Sequence, residues 1–282
     1  MSWRESLVNA DACGPEGVLL IDKPAGPTSH DVVSAVRRAL PKGTKVGHAG
    51  TLDPFATGLL IVLFGRATRV QRLLLGQPKC YEVEARLGWT STTGDRDGVL
   101  VETGNVPTEP LALPTGMIDQ RPPAYSAVKV GGRRAYKLAR AGEDVELPVR
   151  QVEVTQFDQL WREDDRAAFR IACSSGTYVR SLIADLGDAY CTELRRTSIG
   201  PFSLEEAGPE PHPLADVIGR LLPVVRLEEP LARRLGHGQH PPVPAAAAAE
   251  SGELMCVDQS GSPVALATVA DGVLVPSVGF RS

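Results

Sequence analysis

A single carboxylate, Asp53, stands in the run Gly47-His48-Ala49-Gly50-Thr51-Leu52-Asp53-Pro54-Phe55-Ala56-Thr57-Gly58, among glycines, small residues and a proline. A carboxyl group held in such a loop can act as a nucleophile or a general base. The same spacing also suits an Asp-Pro turn whose carboxylate only caps the backbone. The glycines permit close approaches that a Cβ blocks, and Pro54 fixes the chain immediately after Asp53. A second group is singled out by position: Arg180, in Gly176-Thr177-Tyr178-Val179-Arg180. It falls in the first turn of an expected helix, where the macrodipole disfavours a cation, so it needs a specific anionic partner. A surface salt bridge would meet that need as well as an active-site carboxylate.

These groups need elements to position them. Gly17 to Asp22 reads as a buried strand, Lys23 to Pro27 as a turn, and Thr28 to Asp31 as a capping box. The helix it opens ends near Pro41, with Val32, Val33, Val36 and Leu40 on one face. Leu59 to Phe64 is a buried strand that anchors the Asp53 loop from behind. A helix follows with Val70, Leu73, Leu74 and Leu75 inward and Arg66, Arg69 and Arg72 outside. Lys79 to Gly88 alternates like a half-buried strand, and Thr90 to Gly98 is a polar turn expected to be structural. Pro107, Pro110 and Pro114 argue for a loop or at most a short helix between Thr103 and Pro123. Pro122 to Arg140 reads as a strand, a Gly-Gly turn and a helix bearing Arg133, Arg134, Lys137 and Arg140. Residues 149–171 form a hairpin, after which Gly176 closes the strand and Thr177 can cap a helix that buries Leu182, Ile183 and Leu186. Past Leu204 the chain becomes acidic, with two short helices, a Pro- and Ala-rich connection and three short strands between Leu254 and Val275.

The 282 residues are 43% hydrophobic and 23% charged, which suits a soluble globular chain of one large and one small domain. No apolar run approaches the ~20 residues that cross a bilayer, and the start lacks a basic stretch followed by an apolar one, so a cytoplasmic protein with no membrane partner is expected. Cys13, Cys80, Cys173, Cys191 and Cys256 are scattered and odd in number, which suggests neither a disulfide framework nor a zinc site. The formal net charge of -4 argues at first against a nucleic-acid partner. Charge is sorted along the chain, however. Arg37, Arg38, Lys42, Lys45, Arg66, Arg69 and Arg72 share their stretch with Asp53 as the one acid, Lys129, Arg133, Arg134, Lys137 and Arg140 form a second basic cluster, and acids gather late. Each cluster is a candidate basic face, or a solvated helix surface.

The Asp53 stretch resembles the catalytic loop of the TruB-type tRNA pseudouridine synthases, Gly-His-x-Gly-x-Leu-Asp-Pro-x-Ala-x-Gly. Further family-like segments follow in order: Leu20 to Pro24 with Thr28-Ser29, Lys79-x-Tyr81, Thr92 to Gly98, Pro122 to Lys129, Gly176 to Arg180, and Leu194-Arg195-Arg196. The resemblance covers roughly residues 17–202 and implies an α+β pseudouridine-synthase catalytic fold, a central mixed or antiparallel sheet flanked by helices, with a small C-terminal PUA-like β module. The implied division is 1–16 as a flexible tail, 17–224 as the catalytic domain with an RNA-contacting thumb near 122–148, and 225–282 as the module.

By the same resemblance Asp53 is the nucleophile, Arg180 its partner, and Tyr81 the active-site tyrosine that stacks on the target base and is a candidate for taking its proton. Read alone, a strand tyrosine such as Tyr81 is more often a core residue with a satisfied hydroxyl. Tyr178 would line the receiving pocket and His48 would fill the space that a flipped base vacates. Lys23, Lys129, Arg133 and Arg134 would contact substrate. One carboxylate disfavours glycoside hydrolysis, which needs two, and suits a base that leaves and returns without water. The implied substrate is the uridine at position 55 in the TΨC stem-loop of tRNA, flipped out and rejoined to ribose through C5, by a covalent or a glycal route. No metal or cofactor, no obligatory protein partner and a monomer are implied. Two other readings are a non-catalytic tRNA-binding folding chaperone and a guide-RNA-dependent synthase of the dyskerin type, which would carry longer extensions and a stronger PUA module.

Overall fold

The computed structural model describes residues 7–9, 12–126, 128–130, 132–135, 138, 141, 143, 147–245 and 250–280. Strand β1 (Gly17–Lys23) turns into helix α1 (Ser29–Ala39), whose N-cap Thr28 accepts from the Asp31 backbone while the Asp31 carboxylate accepts from the Thr28 N–H. This reciprocal cap explains why the helix starts where it does. Strands β2 (Val46–His48) and β3 (Thr57–Phe64) flank the Asp53 loop, followed by a 3-10 turn (Gly65–Val70) and α2 (Gln71–Leu75). Next come β4 (Lys79–Leu87), the short pair β5 (Trp89–Ser91) and β6 (Leu100–Glu102), and β7 (Gly116–Gln120). A two-residue hairpin, β8 (Lys129–Val130) and β9 (Arg133–Arg134), precedes the long hairpin β10 (Arg150–Glu163) and β11 (Arg166–Cys173). Helix α3 (Val179–Ala184), β12 (Ala189–Ile199) and β13 (Phe202–Ser203) complete the larger part. The remainder comprises α4 (Leu214–Gly219), β14 (Val224–Arg226), α5 (Glu229–Gly236), β15 (Glu253–Val257), β16 (Pro263–Ala270) and β17 (Val273–Gly279).

The larger sheet has the order β1-β3-β12-β4-β11-β10-β7, with β2 also on β3 and β13 also on β12. Among the described strand pairs of this sheet only β3–β12 is parallel, so the sheet is mixed, as expected. β3 is buried on both faces: Leu59, Ile61 and Leu63 join one cluster while Leu60, Val62 and Phe64 join another around α1. β4 alternates, and Tyr81, Val83, Ala85 and Leu87 enter a core with Leu52, Phe55, Phe157, Phe169 and Leu182. Its other face carries Arg170–Glu82, Arg166–Glu84 and Arg86–Asp165 ion pairs. Exposed pairs of this kind contribute little stability, but they leave the outer face of the sheet electrically balanced.

The second sheet, β14-β15-β16-β17, is the expected small β module, with β14 as a parallel addition. One buried cluster runs from Val18, Leu20 and Leu59 to Met255, Val257, Leu266 and Phe280, so the core is continuous across residue 225. Arg66, Arg69 and Arg72, expected on a free helix face, instead reach the Phe280 carbonyl, the Gly279 carbonyl and the Glu253 carboxylate. Part of the expected loose tail is also packed: Leu7 is buried against the α1 side of β3, and Glu16 pairs with Arg66. The proline-rich stretch is loop leading to edge strand β7, with no helix. Arg133 and Arg134 lie on a hairpin strand and not on a helix, while Tyr136, Lys137 and Arg140 fall outside the described residues. Among the described residues no helix is long and apolar enough to cross a membrane.

Candidate active site

The loop carrying Asp53 is fastened at several points by buried side chains. Ser29, on the first turn of α1, bonds Leu52 both ways: its Oγ accepts from the Leu52 N–H at 2.8 Å and donates to the Leu52 carbonyl at 3.1 Å. Lys23, at the end of β1, has no exposed surface, and its ammonium donates to the carbonyls of Pro24 (2.9 Å), Pro27 (2.8 Å) and Pro54 (3.2 Å). Burial lowers its pKa to about 8 against the opposing pull of Asp53. Arg196 on β12 donates from Nε to the Leu59 carbonyl (2.7 Å) and from Nη2 to the Gly50 carbonyl (3.1 Å). Gly58 closes the loop at φ +100 against the Arg196 backbone, where a Cβ would collide. These contacts explain why glycine and buried cations recur here: each loop carbonyl removed from water must find a donor.

Asp53 meets Arg180 with Oδ2 2.8 Å from Nε. The N–H does not point along that line, so the contact is an ion pair without an aligned hydrogen bond. Arg180 is fixed from its far end: Nη2 donates to the Tyr125 carbonyl (3.0 Å), Nη1 donates to the Thr93 carbonyl, and Asp95 Oδ2 lies 3.4 Å from Nη1. Asp95 is itself fixed by Thr93 Oγ1 (2.6 Å) and the Asp97 N–H (3.1 Å). The Asp53 side chain keeps 34% of its surface accessible, against 4% for Arg180, so the carboxylate is open to a ligand and the guanidinium is not. Burial raises the Asp53 pKa above the usual carboxylate value, Arg180 opposes that shift, and the like charge of Asp95 adds to it. Tyr81, 8% exposed on β4, has its pKa raised by burial while the Arg196 charge works the other way. His48 has its pKa lowered by burial and by Arg196, which favours the neutral imidazole at pH 7.

A family model described as TruB family pseudouridylate synthase (N terminal domain) matches residues 37–179. A tRNA pseudouridine synthase B of Thermobifida fusca (strain YX) is 43% identical over 294 residues, covering 94% of this chain and 98% of the relative. The chain belongs to the TruB family. A tRNA pseudouridine synthase B of Mycobacterium sp. (strain KMS) is 49% identical over 210 residues, 68% of this chain and 70% of the relative. Among solved structures, a chain of a Cbf5-Nop10-Gar1 complex matches with a TM-score of 0.67 at 26% identity, over 98% of this chain and 92% of that one. A chain from an H/ACA RNP bound to a substrate RNA containing 2'-deoxyuridine matches with a TM-score of 0.68 at 24% identity, over 94% and 85%, and shows the shared fold.

In this TruB-family chain the structure gathers Asp53, Arg180 and Tyr81, with His48 two residues from Gly50 and its Nδ1 buried without a partner among the described groups. Lys23, expected to contact substrate, is a correction: its donors are engaged inside the protein, so it braces the loop. Thr177 does not cap α3, because its hydroxyl donates to the Ser174 carbonyl. The buried Gln120 clasps the start of that helix instead, accepting from the Tyr178 N–H (2.8 Å) and donating to the Tyr178 carbonyl (3.0 Å). The half-buried Tyr178 ring lies under the Arg150 guanidinium, 4.7 Å from its centroid. Arg133 pairs with Glu143 at 3.0 Å on the exposed hairpin. The side chains of Lys129 and Arg134 fall outside the described residues. Sequence reasoning missed Asp95 and Arg196 as members of the site. Their one signal was membership of the polar turn and the Leu-Arg-Arg segment. Among the described residues no group of three or more His, Cys, Asp and Glu is placed to hold a metal ion.

Proposed function

We propose that this protein isomerises a uridine of tRNA to pseudouridine, with Asp53 as the group that attacks the nucleotide. The observation that carries the reading is the pairing of an accessible Asp53 carboxylate with an inaccessible Arg180 guanidinium, on a loop whose carbonyls are fastened by buried side chains. Arg180 favours the ionised carboxylate and fixes its direction, which is the preorganisation a nucleophile requires. Asp53 attacks either C1′ of the ribose or the base, or assists a glycal intermediate. The N1–C1′ bond breaks, the base turns, and a C5–C1′ bond forms; C5 gives up its proton and N1 gains one, so no atom is lost overall. Tyr81 supplies a flat face for the flipped base, and the neutral His48 fills the space that the base vacates.

The substrate position within tRNA, uridine 55 of the TΨC loop, rests on the family resemblance. Electrostatics favour an approach from the α1 side. Arg37, Thr44, Lys45, Gly47, Thr68 and Gln71 line a groove, and Gln71 Nε2 donates to the His48 carbonyl at 2.7 Å, so the groove adjoins the Asp53 loop. The exposed Arg37, Arg38, Lys42 and Lys45 have no carboxylate partner among the described residues, whereas the arginines on the outer face of the sheet are ion-paired. Unpaired cations are what a phosphate backbone requires. In this reading residues 17–224 form the catalytic unit and 225–282 an accessory module, and the protein acts in the cytoplasm as a monomer, without guide RNA, cofactor or protein partner.

The test is tritium release to water from tRNA transcript labelled at uridine C5, with no guide RNA or cofactor added. Release by the wild type, and none by Asp53→Asn with tRNA binding retained, is expected. Tight binding without release by the wild type would overturn the reading in favour of a binding protein or a guided enzyme.

A further inference from the structure

We propose that Arg196 is a positioning residue of the isomerisation, coupling the Asp53 loop to Tyr81 so that carboxylate and phenol meet the flipped uridine in one fixed geometry. The inference rests on the pseudouridine-synthase reading. Arg196 occupies the parallel β3–β12 junction of the large sheet: in register it faces Gly58 at the exit of the Asp53 loop on β3 and Tyr81 on β4. Strand alternation divides two neighbouring arginines between the faces. Arg195 turns outward and pairs with Asp22 at 2.7 Å, with 43% of its side chain exposed. Arg196 turns inward, is 1% exposed, and is among the largest fully buried side chains.

Among the described residues no carboxylate pairs with Arg196. Its donors go to the carbonyls of Leu59 and Gly50, with the Thr51 carbonyl at 3.5 Å from Nη1, and in the β12–β4 register Arg196 lies directly opposite Tyr81, on the same face of the sheet. A buried guanidinium with neutral partners is an expensive way to hold a strand in place, since a well-packed apolar side chain of similar size commonly serves stability as well or better. What an apolar side chain cannot do is fix two loop carbonyls while it stands beside Tyr81 on the neighbouring strand. Burial lowers the pKa of Lys23, Lys79 and His48, and the Arg196 charge adds to the lowering of each. Asp53 reaches the substrate from a loop and Tyr81 from β4, and Arg196 borders both, through the loop carbonyls and through the β12–β4 register.

The experiment measures single-turnover pseudouridine formation on tRNA by the wild type, Arg196→Lys, Tyr81→Phe and the double variant, together with tRNA affinity and the fraction folded. A lysine keeps the charge but cannot reproduce the fork that spans the Leu59 and Gly50 carbonyls beside Tyr81, so Arg196→Lys is expected to lose ~100-fold in rate with tRNA affinity within about threefold of wild type. Tyr81→Phe is expected to cost at least ~10-fold less in the Arg196→Lys background than in wild type, because the two residues act as a unit. Two independent losses that multiply, or a rate per folded molecule equal to wild type, would overturn the proposal. Should Arg196→Lys fail to fold, Arg196→Gln keeps a donor for the loop carbonyls and is judged by the same coupling. A wild type that forms no pseudouridine at all would be a failure of the functional reading itself, and is told apart by that control.

Discussion

The Arg180 guanidinium is held between two carboxylates, with Nε 2.8 Å from Asp53 Oδ2 and Nη1 3.4 Å from Asp95 Oδ2. The Thr93 and Tyr125 carbonyls accept from Nη1 and Nη2, so two ion pairs and two hydrogen bonds, from three segments, define one orientation. A lysine has a single charged nitrogen and cannot reach both ends of that arrangement. Arg180→Lys should therefore lower the single-turnover rate by ~10²–10³-fold, with tRNA binding nearly unchanged. Rapid-quench kinetics at saturating enzyme reads this directly. A rate within about threefold of wild type would show that the pair is not needed for chemistry.

The pH dependence follows from the same cluster. Burial raises the Asp53 pKa more than Arg180 lowers it, and Asp95 adds to the rise. A raised pKa means that the carboxylate takes up its proton, and loses nucleophilicity, at a higher pH than a free aspartate would. The acid limb of kcat/KM should accordingly have its midpoint above the ordinary aspartate value of 3.8. Asp95→Asn removes the like charge, so its midpoint should move to lower pH, while the plateau drops because Arg180 loses one of its two carboxylates. A shift of the midpoint to higher pH would contradict this account of the electrostatics.

How much of this could be read from the sequence depended on how local each determinant is. The strand, cap and helix between Gly17 and Ala39 were legible because Thr28, Asp31 and the valine spacing all act within one or two turns. Arg180 was legible for a different reason: a cation in the first turn of α3 is a local conflict that announces a distant partner. Arg196 was not. The alternation that buries Leu194 places Arg196 on the same face, but nothing nearby in sequence says that Gly50 and Leu59 will supply its acceptors. Arg66, Arg69 and Arg72 misled for the same reason, since their partners lie on the final strands of the chain. Lys23 read as a ligand-facing cation because sequence shows charge and not the three carbonyls that enclose it.

Lys23 should matter to stability. In Lys23→Met the Pro24, Pro27 and Pro54 carbonyls lose their ammonium donor, and although Pro54 keeps the Gly26 N–H, the change should cost about 2–4 kcal/mol in urea unfolding. The pH trend is a second signature. Lys23 has a pKa of about 8 in the folded protein against an ordinary lysine value of 10.5, so between those values the unfolded chain binds more protons and this group's contribution to wild-type stability rises with pH. Lys23→Met lacks that titration, so the stability gap between wild type and variant should widen as pH rises through this window. A gap that narrows would mean that the ammonium form is favoured by folding.

The charge arrangement around α1 makes the last prediction. Arg37 and Lys45 line the groove that adjoins the His48 backbone, with no carboxylate partner among the described residues, whereas Arg166 and Arg170 on the outer face of the sheet are paired with Glu84 and Glu82. If phosphates lie in the groove, neutralising Arg37 and Lys45 to Gln should weaken tRNA binding and lower the slope of log K against log salt by about one for each phosphate left without its cation. Single-turnover rates at saturating protein should change little, because neither residue touches Asp53 or its partners. The same change at Arg166 and Arg170 should leave affinity and salt slope as they were, since those cations are already neutralised by their neighbours. Equal effects from the two pairs would mean that tRNA responds to overall charge alone, and the groove would lose its place as the entry to the Asp53 loop.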